Sequence, residues 1–499
     1  MKRCLQSVFW AILLAACVLP AAAGTVTIDA AQPGRPFPHF WEQVFGSGRA
    51  NLALRESYLR DLRAMREATG IRYVRFHAIL DDENGLYSED ADGRPVYNFS
   101  YLDQIYDGLL QNGVRPFVEL SFMPRKLSVS PPVPQLFWYR PVVSPPKDYA
   151  AWGALIQAFA QHLVDRYGID EVADWYFEVW NEPNIGFWAG RPRESTYYQL
   201  YTAAAHALKK VSHRLRVGGP ATAQAAWVDR FIDYCSKNDV PVDFVSTHVY
   251  GNDTSENVFG THEVISRRDM VARAVRKVYD QVKHSARPDL PINWTEYNAS
   301  YSNEPAVTDA AFMGPWLANT IRLCDGLVTT MSYWTFSDVF EEGGVIRTPF
   351  YGGFGLIAED GIPKPAFYAF SLLHKLGTLR LPVDSDSVLA TRRNDGALVV
   401  AAWNYAAPKE VGSPSEITLS FEGLREGRHI ARIARVDADH GSPLKAWQAM
   451  GRPRWPTPKQ IAALKKAAQL PDPETVELGE DHSLKLTLSP HCLAVVEVR

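Results

Sequence analysis

Phe177-Glu178-Val179-Trp180-Asn181-Glu182-Pro183-Asn184 is an apolar, aromatic run that ends on a carboxylate and a proline. Ile292-Asn293-Trp294-Thr295-Glu296-Tyr297-Asn298 repeats the pattern well downstream. Setting a Glu where a buried strand meets a loop costs solvation, and an aromatic wall raises that cost. Two such sites in one chain point to carboxylates facing each other across a cleft, the equipment that glycoside cleavage requires.

Working outward, Trp175–Trp180 is one of eight strand-like runs. The others are Gln43–Gly46, Arg72–Phe76, Arg115–Leu120, Leu215–Gly218, Phe244–His248, Ile292–Thr295 and Thr330–Thr335. Helical patterns alternate with them: Ser57–Ala68, Tyr101–Asn112, Tyr149–Arg166, Thr196–Ser212, Asp269–Lys283 and Thr308–Leu323. This alternation predicts an α/β fold, a (β/α)₈ TIM barrel over residues 37–377, whose strands run apolar because both faces are covered. Chemistry then gathers at the C-terminal strand ends, where Glu182 follows strand four, His248 and Tyr250 follow strand six and Glu296 follows strand seven. The long Pro-rich stretch Met123–Pro146 reads as a functional loop at the barrel mouth.

Beyond Ala366–Leu376 the character changes. Ser387–Thr391, Ala397–Trp403, Glu416–Ser420, His429–Val436, Ser483–Leu488 and Leu493–Val498 read as short strands, and Pro458–Ala468 as one inserted helix. Residues 378–499 are therefore expected to form a C-terminal β-sandwich, with residues 24–36 contributing an N-terminal strand at Thr25–Asp29.

Residues 1–23 read as an export signal: Met1-Lys2-Arg3, an apolar run from Val8 to Leu19, then Ala21-Ala22-Ala23 before Gly24. That run is too short for a membrane span. A competing pattern, Leu14-Ala15-Ala16-Cys17, resembles a lipobox with Cys17 as the lipidated residue, so the expectation is export, periplasmic or secreted, with a lipid anchor as the alternative. Net charge is −4 and no Lys/Arg block occurs, which argues against nucleic acid as a partner. Cys235, Cys324 and Cys492 are widely spaced, with no metal-binding or disulfide-framework pattern; a single disulfide stays open. No H-E-x-x-H or similar cluster is present, and neither a metal nor a cofactor is expected.

Cleavage of a glycoside needs one acid and one carboxylate with different proton affinities. Glu182, beside Trp180 and ahead of Phe187 and Trp188, is read as the acid/base, kept protonated by an apolar pocket and a nearby anion. Glu296, among Thr295, Tyr297 and Asn298, is read as the nucleophile, kept charged by those donors. Glu119 and Glu178 sit deeper, inside strands, and are read as partners of Arg75. For His77 and His248, core hydrogen bonding and contact to sugar hydroxyls both stay open. Trp294 and Trp334, taken alone, read as core.

These residues bring out a resemblance. The chain is similar to glycoside hydrolase family 39, and within it to bacterial β-xylosidases rather than α-L-iduronidases. Agreement runs through Phe45-Gly46-Ser47-Gly48-Arg49-Ala50, Tyr73-Val74-Arg75-Phe76-His77, Glu119 to Pro124, Phe177 to Asn184, Asp243-Phe244-Val245-Ser246 and Trp294 to Asn298. It continues through Ser332-Tyr333-Trp334-Thr335-Phe336-Ser337-Asp338-Val339-Phe340-Glu341-Glu342 and Gly352-Gly353-Phe354-Gly355-Leu356. The resemblance implies a retaining exo-β-xylosidase acting on xylo-oligosaccharides, with Glu182 as acid/base and Glu296 as nucleophile. It implies that Asn181 holds the sugar 2-hydroxyl, and that Arg75, His77, Phe137, His248, Tyr250, Trp334, Glu341 and Glu342 line the terminal-sugar subsite. It does not identify an oligomeric interface. After Glu342 the chain departs from the family pattern, reading Gly343-Gly344-Val345-Ile346-Arg347-Thr348. Arg347 there either sets a positive charge near the sugar, favouring a uronic acid, or only solvates a loop, and Thr247 and the Gly251-Asn252-Asp253 loop also bear on which sugar fits. Alternatives are an exo-glycosidase for arabinosides, glucosides or uronides, and a polysaccharide-binding protein with an unused barrel.

Overall fold

The computed structural model describes residues 24–499; the expected export signal, with Cys17, lies outside the described residues. Eight parallel strands close into a barrel. They are β1 Val44–Gly46, β2 Tyr73–Phe76, β3 Arg115–Leu120, β4 Tyr176–Val179, β5 Arg216–Thr222, β6 Phe244–Tyr250, β7 Ile292–Asn298 and β8 Thr330–Tyr333. The barrel and the C-terminal sheets reproduce the expected α/β architecture. Three strands run longer than the pattern indicated: β5 continues to Thr222, β6 to Tyr250 and β7 to Asn298. His248, Tyr250 and Glu296 therefore lie on strands rather than after them, because their polar side chains are satisfied inside the barrel.

Inward positions alternate along each strand and build layers. Val44, Tyr73, Phe117 and Phe244, with Tyr176 against them, plug the N-terminal end. Phe117 and Tyr176 stack with centroids 4.8 Å apart. Two residues further along the strands, the next layer holds Arg75, Glu119, Glu178 and Ser246, all buried. The same period that fills one end with aromatic rings thus places charges above them.

The expected helix Thr308–Leu323 is two, Pro305–Thr308 and Met313–Cys324, with the break next to Asp309. Helices Val228–Lys237 and Leu444–Ala449 were not legible as separate elements. Cys235, Cys324 and Cys492 are buried and free, so the disulfide left open does not form among them.

C-terminal to the barrel, Val388–Arg392, Leu398–Trp403, Leu493–Val498, Ile430–Val436 and Glu474–Glu477 run in that order in a seven-stranded sheet. Strand Gly24–Asp29 pairs in parallel with Ser415–Glu422, which pairs with Ser483–Leu488, so the first described strand belongs to a second, three-stranded sheet that packs on the seven-stranded one. One sheet face packs on helix Met313–Cys324, where a side chain at Gly314 would meet Leu493 at 3.1 Å. Helix Pro458–Ala468 begins with a capping box between Thr457 and Gln460. Its Leu464 and the nearby Trp447 pack against Phe350 of the last barrel loop. The C-terminal layer thereby reaches the barrel mouth.

That last loop is held by one buried cation. Lys364 Nζ lies 2.8 Å from Asp309 and 2.6 Å from Asp338, with all three side chains out of contact with solvent. Asp309 accepts from the Gly352 amide and Asp338 from the Gly355 amide. A Cβ on Gly353 would lie 2.4 Å from Asp338 Oδ1, and one on Gly355 2.3 Å from the Asp338 amide nitrogen, which explains the glycines of the Gly352–Gly355 run. Lys364→Met leaves two buried carboxylates unpaired and is expected to cost about 3–5 kcal/mol of stability. Urea denaturation checks this; an unchanged midpoint would show that the ion pair does not fix the loop.

Candidate active site

Glu182 ends the turn after β4 with a strained backbone. Trp180 has φ 75° and Glu182 has φ 44°, the left-handed region that β-carbon-bearing residues avoid. The surroundings hold this turn: the Glu182 amide donates to Ala221 O at 2.8 Å and Trp180 Nε1 donates to Phe187 O at 2.7 Å.

Glu296 is aimed by an irregularity in β7. Thr247 pairs with Trp294 but His248 pairs with Glu296, and on the other side Trp294 pairs with Met331 but Tyr297 with Tyr333. One extra residue is accommodated, and consecutive Thr295 and Glu296 both reach interior groups, which strict alternation forbids.

Beneath both carboxylates lies Arg75, with no exposed surface. Its Nε donates to Glu178 (2.6 Å), Nη1 to Glu296 Oε1 (2.8 Å) and Nη2 to Asn181 Oδ1 (3.0 Å), while Glu119 Oε2 lies 2.7 Å from Nη2. Burial opposes its charge, but Glu119, Glu178 and Glu296 outweigh burial and hold the guanidinium firmly protonated. The second oxygen of Glu296 accepts from Tyr250 Oη at 2.6 Å. The neighbours expected to supply donors do not. Thr295 donates to Glu178, Asn298 donates to the Trp334 carbonyl, and the Tyr297 hydroxyl has no protein partner.

Glu182 has the opposite environment. Burial, then the charges of Glu296 and Asp253, push its carboxyl well above the ordinary range. His248 Nδ1 lies 3.1 Å from Glu182 Oε1, and His248 Nε2 lies 3.1 Å from Thr295 Oγ1. Burial, with Arg75 and His77, keeps His248 neutral. Thr295 spends its one proton on Glu178, so its oxygen accepts from His248 Nε2–H, leaving the Nδ1 lone pair toward Glu182. Only a protonated Glu182 completes that chain. Oxygens of Glu182 and Glu296 and a nitrogen of His248 all lie within 4.8 Å of one another. Three such ligands could in principle hold a cation, but the Arg75 guanidinium 2.8 Å from Glu296 already occupies that role electrostatically.

The two carboxylates open into a cavity of about 310 Å³. His77, Phe137, Asn181, Tyr250, Trp334 and Glu342 line it with them, as expected. Three expected lining residues do not. Arg75 and His248 lie beneath the cavity wall with no exposed surface, their polar atoms committed to Glu296 and Glu182. Glu341 turns away, its two oxygens taken by Arg49 and Arg55. Asp253 of the loop after Tyr250 also lines the cavity, and Gln224, Tyr301 and Phe354 do so without having been foreseen; Gln224 and Tyr301 follow strand ends, the one signal that marked them. Trp334 forms a wall against His77 (4.8 Å) because Gly46 lets it approach: a Cβ there would lie 2.3 Å from the indole. Asn181 Nδ2 has no protein partner and is free to donate to a ligand. His77 Nδ1 contacts Glu119 Oε2 at 2.7 Å, and although burial opposes it, Glu119 and Glu296 raise the imidazole above its ordinary range.

A parallel barrel with paired carboxylates at the ends of β4 and β7, one of them pushed toward its protonated form, defines a two-carboxylate glycoside hydrolase site. A family model described as Glycosyl hydrolases family 39 matches residues 24–479, and the chain belongs to that family. A β-xylosidase of Geobacillus stearothermophilus is 39% identical over 446 residues, covering 86% of each chain. A β-xylosidase of Caldicellulosiruptor saccharolyticus is 37% identical over 475 residues, covering 92% of this chain and 95% of its own. The crystal structure of a monomeric β-xylosidase from Caulobacter crescentus CB15 superimposes with a TM-score of 0.87 at 33% identity, over 96% of this chain and 99% of that one.

Burial pushes the Glu342 carboxyl up to about 8, against the opposing charge of His77 and with Glu296 and Glu119 adding to it. Between its ordinary value near 4.5 and about 8, the native state holds a proton that the unfolded chain releases, so stability falls as pH rises through that window. Glu342→Gln is expected to remove this contribution, so the variant gains thermal midpoint relative to the parent between pH 5 and 8. Parallel midpoint profiles would show that Glu342 ionises normally.

Proposed function

We propose that the chain is a retaining exo-β-xylosidase that releases the terminal xylosyl residue of xylo-oligosaccharides. The observation that carries this reading is the approach of the Glu182 and Glu296 oxygens to within 4.8 Å. Retaining enzymes set their carboxyl groups about 5–5.5 Å apart, whereas inverting ones leave about 6.5–9.5 Å for a water. The inner cavity is at the small end of ligand sites, which suits one sugar ring. Its lining carries Glu182, Glu296, Glu342 and Asp253 with His77 as the one cation, which favours a neutral sugar over a uronide. The named relatives supply the xyloside.

In the first step Glu182 gives its proton to the glycosidic oxygen while Glu296 attacks the anomeric carbon. The C–O bond to the departing chain breaks and a xylosyl–Glu296 ester forms. Arg75 stays bonded to Glu296 Oε1 throughout, and Asn181 Nδ2 donates to the sugar 2-hydroxyl. In the second step Glu182, now a carboxylate, takes a proton from water as its oxygen attacks the anomeric carbon, and Glu296 leaves as a carboxylate. Arg75 and His248 act from beneath as positioning residues.

We also propose export with cleavage before Gly24, on the pattern of residues 1–23. Intact mass of the mature protein distinguishes this from a lipidated Cys17.

Proton NMR of the first-formed sugar is expected to show the β-anomer, and an initial α-anomer would refute the two-step course. Glu296→Ala is expected to abolish turnover of every leaving group with the circular dichroism unchanged. Glu182→Ala should lose about 10²–10⁴-fold on xylobiose, and far less on an aryl xyloside whose leaving group needs no proton. Equal losses on both substrates would remove Glu182 from the acid role. Turnover of an aryl uronide with none of the xyloside would overturn the substrate.

A further inference from the structure

A second cavity, of about 640 Å³, opens directly from the catalytic one; Phe137, Tyr301, Glu342 and Phe354 line both. Its outer wall comes from two sources. The barrel's last loop supplies Gly343 to Thr348, and the segment between the two C-terminal helices supplies Arg454. The placement is built: Trp447 and Leu464, flanking Arg454 in sequence, pack with Phe350 of the same loop. On the other side the Trp138 amide donates to the Glu342 carbonyl at 2.8 Å, tying the Pro-rich loop to the rim.

The charge of this outer cavity differs from that of the inner one. Arg347 and Arg454 both line it and both are exposed. Neither forms an ion pair among the described residues; Arg454 rests only on the Trp455 ring, at 5.4 Å. Other arginines near the mouth are consumed by carboxylates, Arg49 and Arg55 by Glu341 and Arg267 by Glu304. Glu342 is the one carboxylate lining the outer cavity, and burial keeps it largely protonated below pH 8. The catalytic cavity is closed beneath by Arg75 and its partners, and the outer space is continuous with it, which gives a chain whose terminal sugar sits there a path outward.

We propose that the outer cavity is a leaving-group subsite for an acidic xylo-oligosaccharide, in which the carboxylate of a uronic acid carried by the departing chain engages Arg347 and Arg454. This rests on the xylosidase reading above and specifies which xylosides the site selects. Guanidinium groups without protein carboxylates suit this ligand, because their planar donor fork matches a carboxylate and no internal pair need be broken. Trp138 and Trp455, 62% and 74% exposed, adjoin the lining residues Phe137 and Arg454 in sequence. The catalytic cavity, lined by carboxyl groups with His77 as its one basic side chain, offers the acidic group no such fork.

The test compares three substrates: unbranched xylotriose, xylotriose bearing a uronic acid on its reducing-end sugar, and the methyl ester of that acid, equal in shape but uncharged. Released xylose is quantified for the parent enzyme and for R347Q, R454Q and the double variant. The parent is expected to show a kcat/KM about tenfold higher for the acid than for its ester, a difference of about 1.4 kcal/mol. That ratio should fall to about one in the double variant, and in the parent at high salt, since exposed charges are screened. A parent ratio of one or less, or a ratio that survives both substitutions, overturns the subsite while xylotriose hydrolysis leaves the xylosidase reading standing. Failure to release xylose from all three substrates overturns both.

Discussion

The buried guanidinium of Arg75 is the interaction on which the rest of this site depends. Removing a charge from water costs several kcal/mol even after relaxation, and that cost is met only by close opposite charges with good geometry. Three carboxylates and one amide from three strands meet that demand here: Glu119 from β3, Glu178 from β4 with Asn181 just after it, and Glu296 from β7. A single side chain thereby fixes the relative height of β2, β3, β4 and β7. It also anchors one oxygen of Glu296 and takes the Asn181 side-chain carbonyl, leaving the Asn181 amide nitrogen without a protein partner. The aromatic plug below excludes water from this layer, which strengthens every one of these contacts.

The division of labour between the carboxylates follows from where that charge ends. Arg75 touches Glu296 directly, and Tyr250 supplies a second donor. Glu182 instead has neutral His248, whose tautomer is set through Thr295 by Glu178, one of the carboxylates already held by Arg75. The cation thus acts on one carboxyl group by contact and on the other through a hydrogen-bond chain. Around this rigid centre the specificity elements are loops, each pinned elsewhere: the 334–356 loop by Lys364, and the Pro-rich loop by its bond to Glu342.

How much was legible in the sequence can be judged from particular residues. All eight barrel strands were visible because strands buried on both faces run apolar, and the helix Pro458–Ala468 stood out as the one interruption of the C-terminal strand pattern. Glu182 and Glu296 stood out because a carboxylate closing an aromatic run is costly without a purpose. The ends of β5, β6 and β7 were not legible: polar residues such as Tyr250 and Glu296 read as loop when their partners are unknown. For the same reason Thr295, Tyr297 and Asn298 were credited with holding Glu296, when a register slip turns Thr295 and Asn298 to other partners and leaves the Tyr297 hydroxyl without one. Arg75, His248 and Glu341 could not be separated from true lining residues, since proximity to the site in sequence says nothing about which side of a wall a side chain occupies.

The amino-acid order by itself determined the repeating strand–helix alternation, the two-layer C-terminal addition and the identity of the paired carboxylates, because hydrophobic period and solvation cost are local properties of the chain. Only the tertiary structure decided which carboxyl group keeps a proton, which cations are consumed by internal pairs, and that Arg454, far along the chain from Arg347, shares its cavity. Those outcomes depend on distances between residues remote in sequence, and electrostatic energy is a function of distance and burial rather than of order along the backbone.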